Sequence, residues 1–429
     1  MFQRSLLKKT RPCLFNTLRL NYIRKISNTP GKDGDTPVTL ESAPENVNLD
    51  ETGETGETGE TRKDASEQSC DAENLSRLLD ESATYCDAKD PNWGTPPYPK
   101  DALKTQEQEA EELSPSDHSV ILFPGQGTIK VGMVQKYLKF PHAKELFEIA
   151  NEILNYNLLK LCLNGPQNKL DQTQFNQPAT VILCLAALER LREERPAAFE
   201  TCIGTAGYSV GELTSLIFAG VFSVEDGIRL VSARGTAMQY ASEKVPQGML
   251  SVYCPSDCKI SEVCNEARDW AQNMGVENPV CNVAIYLYTQ GRVIAGNEQA
   301  LKYIEQNAQK FGLSKLRRLP VSGAFHTMLM EPALKSFGRV LSTVQIDEPR
   351  CKVYANHQAF VYNSNPKLIR KLLLKQITHP VKWEQLMHKI YARRTGIQFP
   401  RSFDVGSGGR MNTILKLINF KAAKHCIAV

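Results

Sequence analysis

The chain has 429 residues, of which 41% are hydrophobic and 23% charged, with a formal net charge of +4. That length supports a large buried core, and the absence of any apolar run long enough to cross a bilayer excludes a protein held by a transmembrane helix. The twelve cysteines form no C-x-x-C pair, and Cys254, Cys258 and Cys264 lack an accompanying histidine cluster, so neither a zinc site nor disulfides are expected.

Charge divides the chain into three regions. Residues 1–32 hold eight Lys/Arg and no acid, spaced among Leu, Phe and Ile, the pattern of a mitochondrial transit peptide rather than of a secretory signal. A basic tail or a nucleic-acid arm is the alternative. Residues 33–116 carry six basic and twenty-two acidic residues and include the repeat "ETGETGETGET". Such a segment buries too little apolar surface to offset the entropy of ordering it, so a mostly disordered linker is expected. From Asp117 onward thirty-seven basic residues face twenty-five acidic ones. A positive surface of this kind suits an acidic partner. Arg317, Arg318, Lys367, Arg370, Lys371 and Lys375 are candidates to steer one. No recognition motif supports nucleic acid as that partner.

Strands and helices alternate after Asp117, which predicts an α/β domain. "SVILF" (119–123) reads as a buried strand stopped by Pro-Gly, and 177–194 as a helix. "TCIGTAG" is a strand running into "GYSVGE", and Val210, Leu213, Leu216 and Ile217 fall at helical spacing behind it. Residues 224–243 form a second amphipathic helix. Residues 247–312 then read β-α-β-β-α, a small sandwich of helices on an antiparallel sheet inserted into a core made of 117–246 and 313–429. "KLRRLPVS" (315–322) is the strand expected to return to the main domain.

Three segments carry chemistry. Gly207 and Gly211 flank Ser209 in the G-x-S-x-G pattern, in which a crowded turn exposes a serine near a helix N-terminus. The alternative is an ordinary Ser N-cap. A serine hydroxyl needs a base. Among the five histidines that follow it, His326 in "VSGAFHTML" sits just past a strand, whereas His379 and His388 read as satisfied surface or core residues. Asp404 is the candidate for a carboxylate behind the histidine, with a backbone carbonyl as the other possibility. "LFPGQG" (122–127) makes a tight turn whose backbone N–H groups could supply an oxyanion donor, with the Val210 amide as a second; a plain strand-ending turn is the alternative.

"FPGQG", "GYSVGE", "RLVSARGTAMQ", "VSGAFHTMLMEP", "KQITHPVKWEQ" and "DVGSG" occur in the order and spacing of the malonyl-coenzyme A:acyl-carrier-protein transacylases, and the chain resembles that family over 119–418. The basic first region makes it similar to the mitochondrial members. The resemblance implies an α/β-hydrolase-like core with a ferredoxin-like insert. It also implies malonyl transfer through Ser209 as nucleophile and His326 as base, with Gln126 and Val210 as the oxyanion hole. Arg234 would pair with the malonyl carboxylate, and the main-chain carbonyl of Gln376 would orient the histidine in place of a triad acid. Asn356 falls where the family keeps a pocket asparagine. Tyr208 departs from the family, where histidine is common, and puts the packing of the elbow in question. No cofactor is implied: coenzyme A arrives as the thioester substrate, and phosphopantetheine on the carrier protein, the expected partner. A monomer in the mitochondrial matrix is expected. A serine thioesterase or esterase, or a non-catalytic interaction protein, is the rival reading; the first has no need of Arg234.

Overall fold

The computed structural model describes residues 117–394 and 396–429. The transit peptide and the acidic linker lie outside the described residues. The main sheet has the order β10-β9-β1-β2-β7-β8. It is parallel from β10 (Cys426–Ala428) through β9 (Arg401–Asp404), β1 (Ser119–Phe123) and β2 (Cys202–Gly207) to β7 (Lys352–Ala355). Only the two-residue edge strand β8 (Phe360–Val361) runs antiparallel. All five residues of β1 are buried, as expected for a central strand covered on both faces.

Register brings the functional loops together. Phe123 pairs with Gly207, Leu122 with Asp404 and Ala206 with Tyr354. The turns that follow β1, β2 and β7 therefore leave the same edge of the sheet side by side, at the carboxyl ends of the strands where α/β sheets bind ligands. Two long helices pack nearby. Thr173–Glu194 is buried along most of its length, which explains the uninterrupted apolar run "VILCLAAL". Val224–Ser242 is capped by Ser223, whose Oγ accepts the Asp226 amide at 3.0 Å.

The insert is a four-stranded antiparallel sheet of order β4-β5-β3-β6, from β3 (Gln247–Tyr253), β4 (Cys281–Tyr288), β5 (Gly291–Asn297) and β6 (Ser314–Arg318). Helices Ile260–Asn273 and Glu298–Gln306 pack on it around Leu250, Ala267, Ile294 and Leu301. One expectation is corrected here. The segment beginning at Lys315 does not enter the main sheet; it completes the insert by pairing with β3, Leu250 opposite Arg318. The boundary at 312 was thus drawn one strand early. The charges on β6 hid its place: Arg318 does not project toward a partner but pairs with Glu298 and Glu305 on the neighbouring helix, at 2.8–3.0 Å. Arg370 is likewise turned inward, onto the carbonyls of Leu341 and Val344. A short parallel bridge ties insert to core, with the Tyr286 amide on the Val381 carbonyl and the Val381 amide on that of Ala284, each at 2.9 Å.

The elbow between β2 and helix Val210–Phe218 depends on close backbone approach. A Cβ on Gly207 would lie 1.8 Å from the Gly211 carbonyl oxygen, and one on Gly211 would lie 2.5 Å from that of Pro124. Backbone cannot yield as a flexible side chain does. Gly211→Ala is therefore expected to lower unfolding stability by roughly 2–3 kcal/mol, measured by denaturant titration; an unchanged midpoint would contradict this packing.

Candidate active site

Ser209 sits at φ 54°, ψ −108°, a conformation a non-glycine residue holds only under constraint. Four hydrogen bonds supply it. The Tyr208 amide donates to the Phe123 carbonyl at 2.9 Å, joining the elbow to β1. Asn356, following β7, accepts the Ser209 amide on Oδ1 and donates from Nδ2 to the Gly207 carbonyl, both at 2.7 Å. Gln376 Nε2 donates to the Ser209 carbonyl at 2.7 Å. Ser209 occupies the N-cap position of its helix, yet its side chain makes no capping bond. Its hydroxyl faces His326 instead.

His326 is 2% exposed, and its Nε2 lies 2.8 Å from Ser209 Oγ. Its Nδ1 lies 2.7 Å from the Gln376 main-chain carbonyl. A carbonyl can only accept, so Nδ1 carries the hydrogen and Nε2 presents its lone pair to the serine. Burial, with the nearby Arg234 charge, pushes His326 down to about 3. The imidazole is neutral and ready to take a proton. Asp404 plays no part: its Oδ2 accepts the Asn412 amide, on the turn that starts the next helix. His379 is held by Thr378 Oγ1 and the Lys375 carbonyl.

Arg234 comes from the middle of helix Val224–Ser242 and is 1% exposed, not part of a solvated face. Nη1 donates to Gln177 Oε1 at 2.7 Å; Nη2 donates to Gln376 Oε1 at 2.8 Å and to Ser209 Oγ at 3.3 Å. All three acceptors are neutral. Burial pushes the guanidinium down to about 10, with the Glu212 charge opposing the shift. The site therefore holds a desolvated cation without a direct carboxylate partner, an arrangement that favours an incoming anion.

The Gln126 side chain is turned away onto Thr173 Oγ1 at 3.2 Å, while Gly127 and Thr128 pin the turn to Asn176 and to the Gly125 carbonyl. Among the described residues, the main-chain N–H groups of Gln126 and Val210 donate to no protein acceptor. Asn356, expected in a substrate pocket, is fully buried with both side-chain polar atoms on the elbow backbone, so it braces the serine from behind. Tyr208 packs its ring edge-on against Trp383 at 5.3 Å, which fills the volume that its departure from the common histidine put in question. From His326 a cleft of about 340 Å³ opens between Met328 and Thr378 of the core and Arg268, Asn282 and Tyr286 of the insert.

Three residues of the site escaped the sequence reading: Gln177, Glu212 and Tyr362. Glu212 ends the "GYSVGE" stretch and Gln177 is the first residue of the helix expected over 177–194, so both stood within segments already singled out. Nothing in the sequence pointed to Tyr362.

Residues 120–400 match a model of the acyl transferase domain family. The chain is 46% identical over 319 residues to the mitochondrial malonyl-CoA-acyl carrier protein transacylase of Homo sapiens, covering 74% of this chain and 82% of that one. It is 45% identical over 317 residues to the probable mitochondrial enzyme of the same name in Drosophila melanogaster, covering 74% and 83%. Among solved structures, the malonyl CoA-acyl carrier protein transacylase of Coxiella burnetii superposes with a TM-score of 0.65 at 28% identity, covering 74% of this chain and 95% of that one. A malonyl-transacylase in complex with its type II PKS acyl-carrier protein superposes with a TM-score of 0.62 at 25% identity, covering 72% and 94%. With its nucleophile elbow, its histidine on a backbone carbonyl and its buried arginine, the chain belongs to the acyl transferase family and, within it, to the malonyl-CoA-acyl carrier protein transacylases.

Proposed function

We propose that the protein moves a malonyl group from malonyl-CoA to the pantetheine thiol of an acyl carrier protein, by way of a malonyl ester on Ser209, in mitochondrial fatty acid synthesis. The reading is carried by one observation: the buried Arg234 guanidinium reaches the Ser209 hydroxyl with only neutral partners of its own. An acyl group that ends in a carboxylate supplies the missing counter-charge.

The reaction divides into two halves. Ser209 Oγ attacks the thioester carbonyl while His326 Nε2 takes its proton, and the oxyanion accepts from the Gln126 and Val210 amides. The C–S bond breaks and the departing sulfur takes the proton from the imidazolium. The carrier thiol then gives its proton to His326 as its sulfur attacks the ester. The C–O bond breaks, and Ser209 Oγ recovers the proton. Arg234 opposes protonation of His326 in the resting site. A malonyl carboxylate neutralises that charge, so the proper substrate also strengthens the base. An acetyl group does neither.

The α/β-hydrolase-like core with a ferredoxin-like insert is the frame of this reading. It is supported by the parallel main sheet and the β4-β5-β3-β6 order of the second sheet. The cleft between core and insert offers the path for the pantetheine arm. The carrier protein docks through the positive surface that remains once Arg318 and Arg370 are set aside. Malonyl-CoA enters as substrate, no resident cofactor takes part, and no nucleic acid is bound. No helix among the described residues is long and apolar enough to cross a membrane. The relatives named mitochondrial support that compartment, and the matrix, with a monomeric enzyme, is the specific assignment.

Protein mixed with malonyl-CoA is expected to gain one malonyl mass on Ser209, to keep it without carrier protein, and to lose it to carrier protein bearing pantetheine. Rapid release of free malonate instead would favour the thioesterase reading. Arg234→Ala is expected to lower the preference for malonyl over acetyl loading about a hundredfold, from the loss of two charge-assisted bonds; an unchanged ratio would refute the clamp. Because burial lowers the His326 pKa, its neutral form persists well below 6.5, the usual imidazole value. Malonyl loading followed against pH is expected to stay level as pH falls through that value, and a loss centred there would contradict a buried neutral base.

A further inference from the structure

Behind Arg234 stands a carboxylate that the chemistry above does not use. Glu212, two residues beyond Val210 on the elbow helix, is 1% exposed. Tyr362, 3% exposed and just past β8, donates its hydroxyl to Glu212 Oε1. Gln376 Nε2 donates to Glu212 Oε2 at 2.8 Å. The other end of that carboxamide, Gln376 Oε1, accepts from Arg234. Glu212 and Arg234 therefore face each other through one amide group and not in direct contact.

The amide has two orientations, and only one is compatible with its neighbours. With Nε2 toward Glu212 and Oε1 toward Arg234, each donor meets an acceptor. Turned over, the NH₂ group would confront the guanidinium and the amide oxygen would confront the carboxylate. An ionised carboxylate accepts and never donates, so together with the Ser209 carbonyl, which accepts from the same Nε2 at 2.7 Å, it selects the first orientation. Its charge also offsets the buried cation from a distance, leaving the guanidinium without an ion-pair partner. Burial pushes the Glu212 carboxyl up to about 7, although Tyr362, Gln376, Asn356 and the Arg234 charge all favour its ionised form.

We infer that Glu212 is a positioning residue for acyl selectivity, holding the Gln376 carboxamide in the orientation that keeps Arg234 aimed at the serine and open to the carboxylate of the acyl group. Glu212 touches no reacting atom; it acts through Gln376 and Arg234. The inference rests on the malonyl-transfer reading. A carboxamide in place of the Glu212 carboxylate meets Tyr362 and Gln376 in either orientation, so the Ser209 carbonyl, which accepts from the same Nε2 at 2.7 Å, is left to hold Gln376 alone.

The test compares initial loading of Ser209 from malonyl-CoA and from acetyl-CoA, by intact-protein mass, in wild type, Glu212→Gln, Arg234→Ala and the double variant. Glu212→Gln is expected to lower malonyl loading about tenfold, chiefly through KM, with acetyl loading little changed, as for loss of one hydrogen bond to a charged group. In the Arg234→Ala background it is expected to change the malonyl-to-acetyl ratio no further, since the two act as a unit. Tyr362→Phe, which frees one oxygen of Glu212, is expected to shift the ratio the same way by about threefold and carries the test if Glu212→Gln does not fold. Equal losses for both acyl groups, or an undiminished effect in the Arg234→Ala background, would overturn the positioning role. A wild-type protein that takes no malonyl group overturns the transfer reading, and this inference with it.

Discussion

Gln376 touches the base, the acyl clamp and the backbone of the nucleophile. Its main-chain carbonyl takes the Nδ1 hydrogen of His326, its side-chain oxygen takes Arg234, and its side-chain nitrogen reaches both the Ser209 carbonyl and Glu212. The base and the acyl clamp are thus referenced to one residue near the end of helix Pro366–Thr378. In a Ser-His-Asp triad a carboxylate orients the imidazole and stabilises its charged form. A neutral carbonyl gives the orientation and less of the charge stabilisation. That suits a site that already contains a buried guanidinium, where a second fixed anion would compete with the substrate for it.

This arrangement is costly in backbone conformation. Ser209 and His326, the two residues that exchange a proton, both lie at positive φ, 54° and 63°. Such residues persist only where the surroundings over-determine them. The surroundings here are the Asn356 brackets, the parallel register that sets β1 and β7 on either side of β2, and the contact between Gly207 and Gly211, too close for any Cβ. Strain at the reacting residues is offset by packing and hydrogen bonds one layer behind them.

Much of this was legible in the chain. Local patterns sufficed where one segment determines its own conformation: the buried run of β1, the glycines around Ser209, the helix that carries Arg234. They failed where two distant segments decide. Lys315–Arg318 looked like a return to the core because its arginines gave no sign of a sheet face, and only their pairing with Glu298 and Glu305 explains them. Asn356 was expected in a substrate pocket, but its side chain serves the elbow backbone. Helical periodicity gave Arg234 no role, and family resemblance supplied one. Glu212 and Tyr362 meet across 150 positions of sequence, a juxtaposition that no local pattern encodes.

The central claim is that a buried, unpaired guanidinium selects the acyl group beside a serine activated by a neutral histidine. A crystal structure of the Ser209 acyl-enzyme trapped with malonyl-CoA tests it most directly. The malonyl carboxylate is expected to pair with both terminal nitrogens of Arg234, with the ester carbonyl oxygen between the amides of Gln126 and Val210. A carboxylate pointing out into the cleft, with Arg234 still on Gln177 and Gln376 alone, would contradict it.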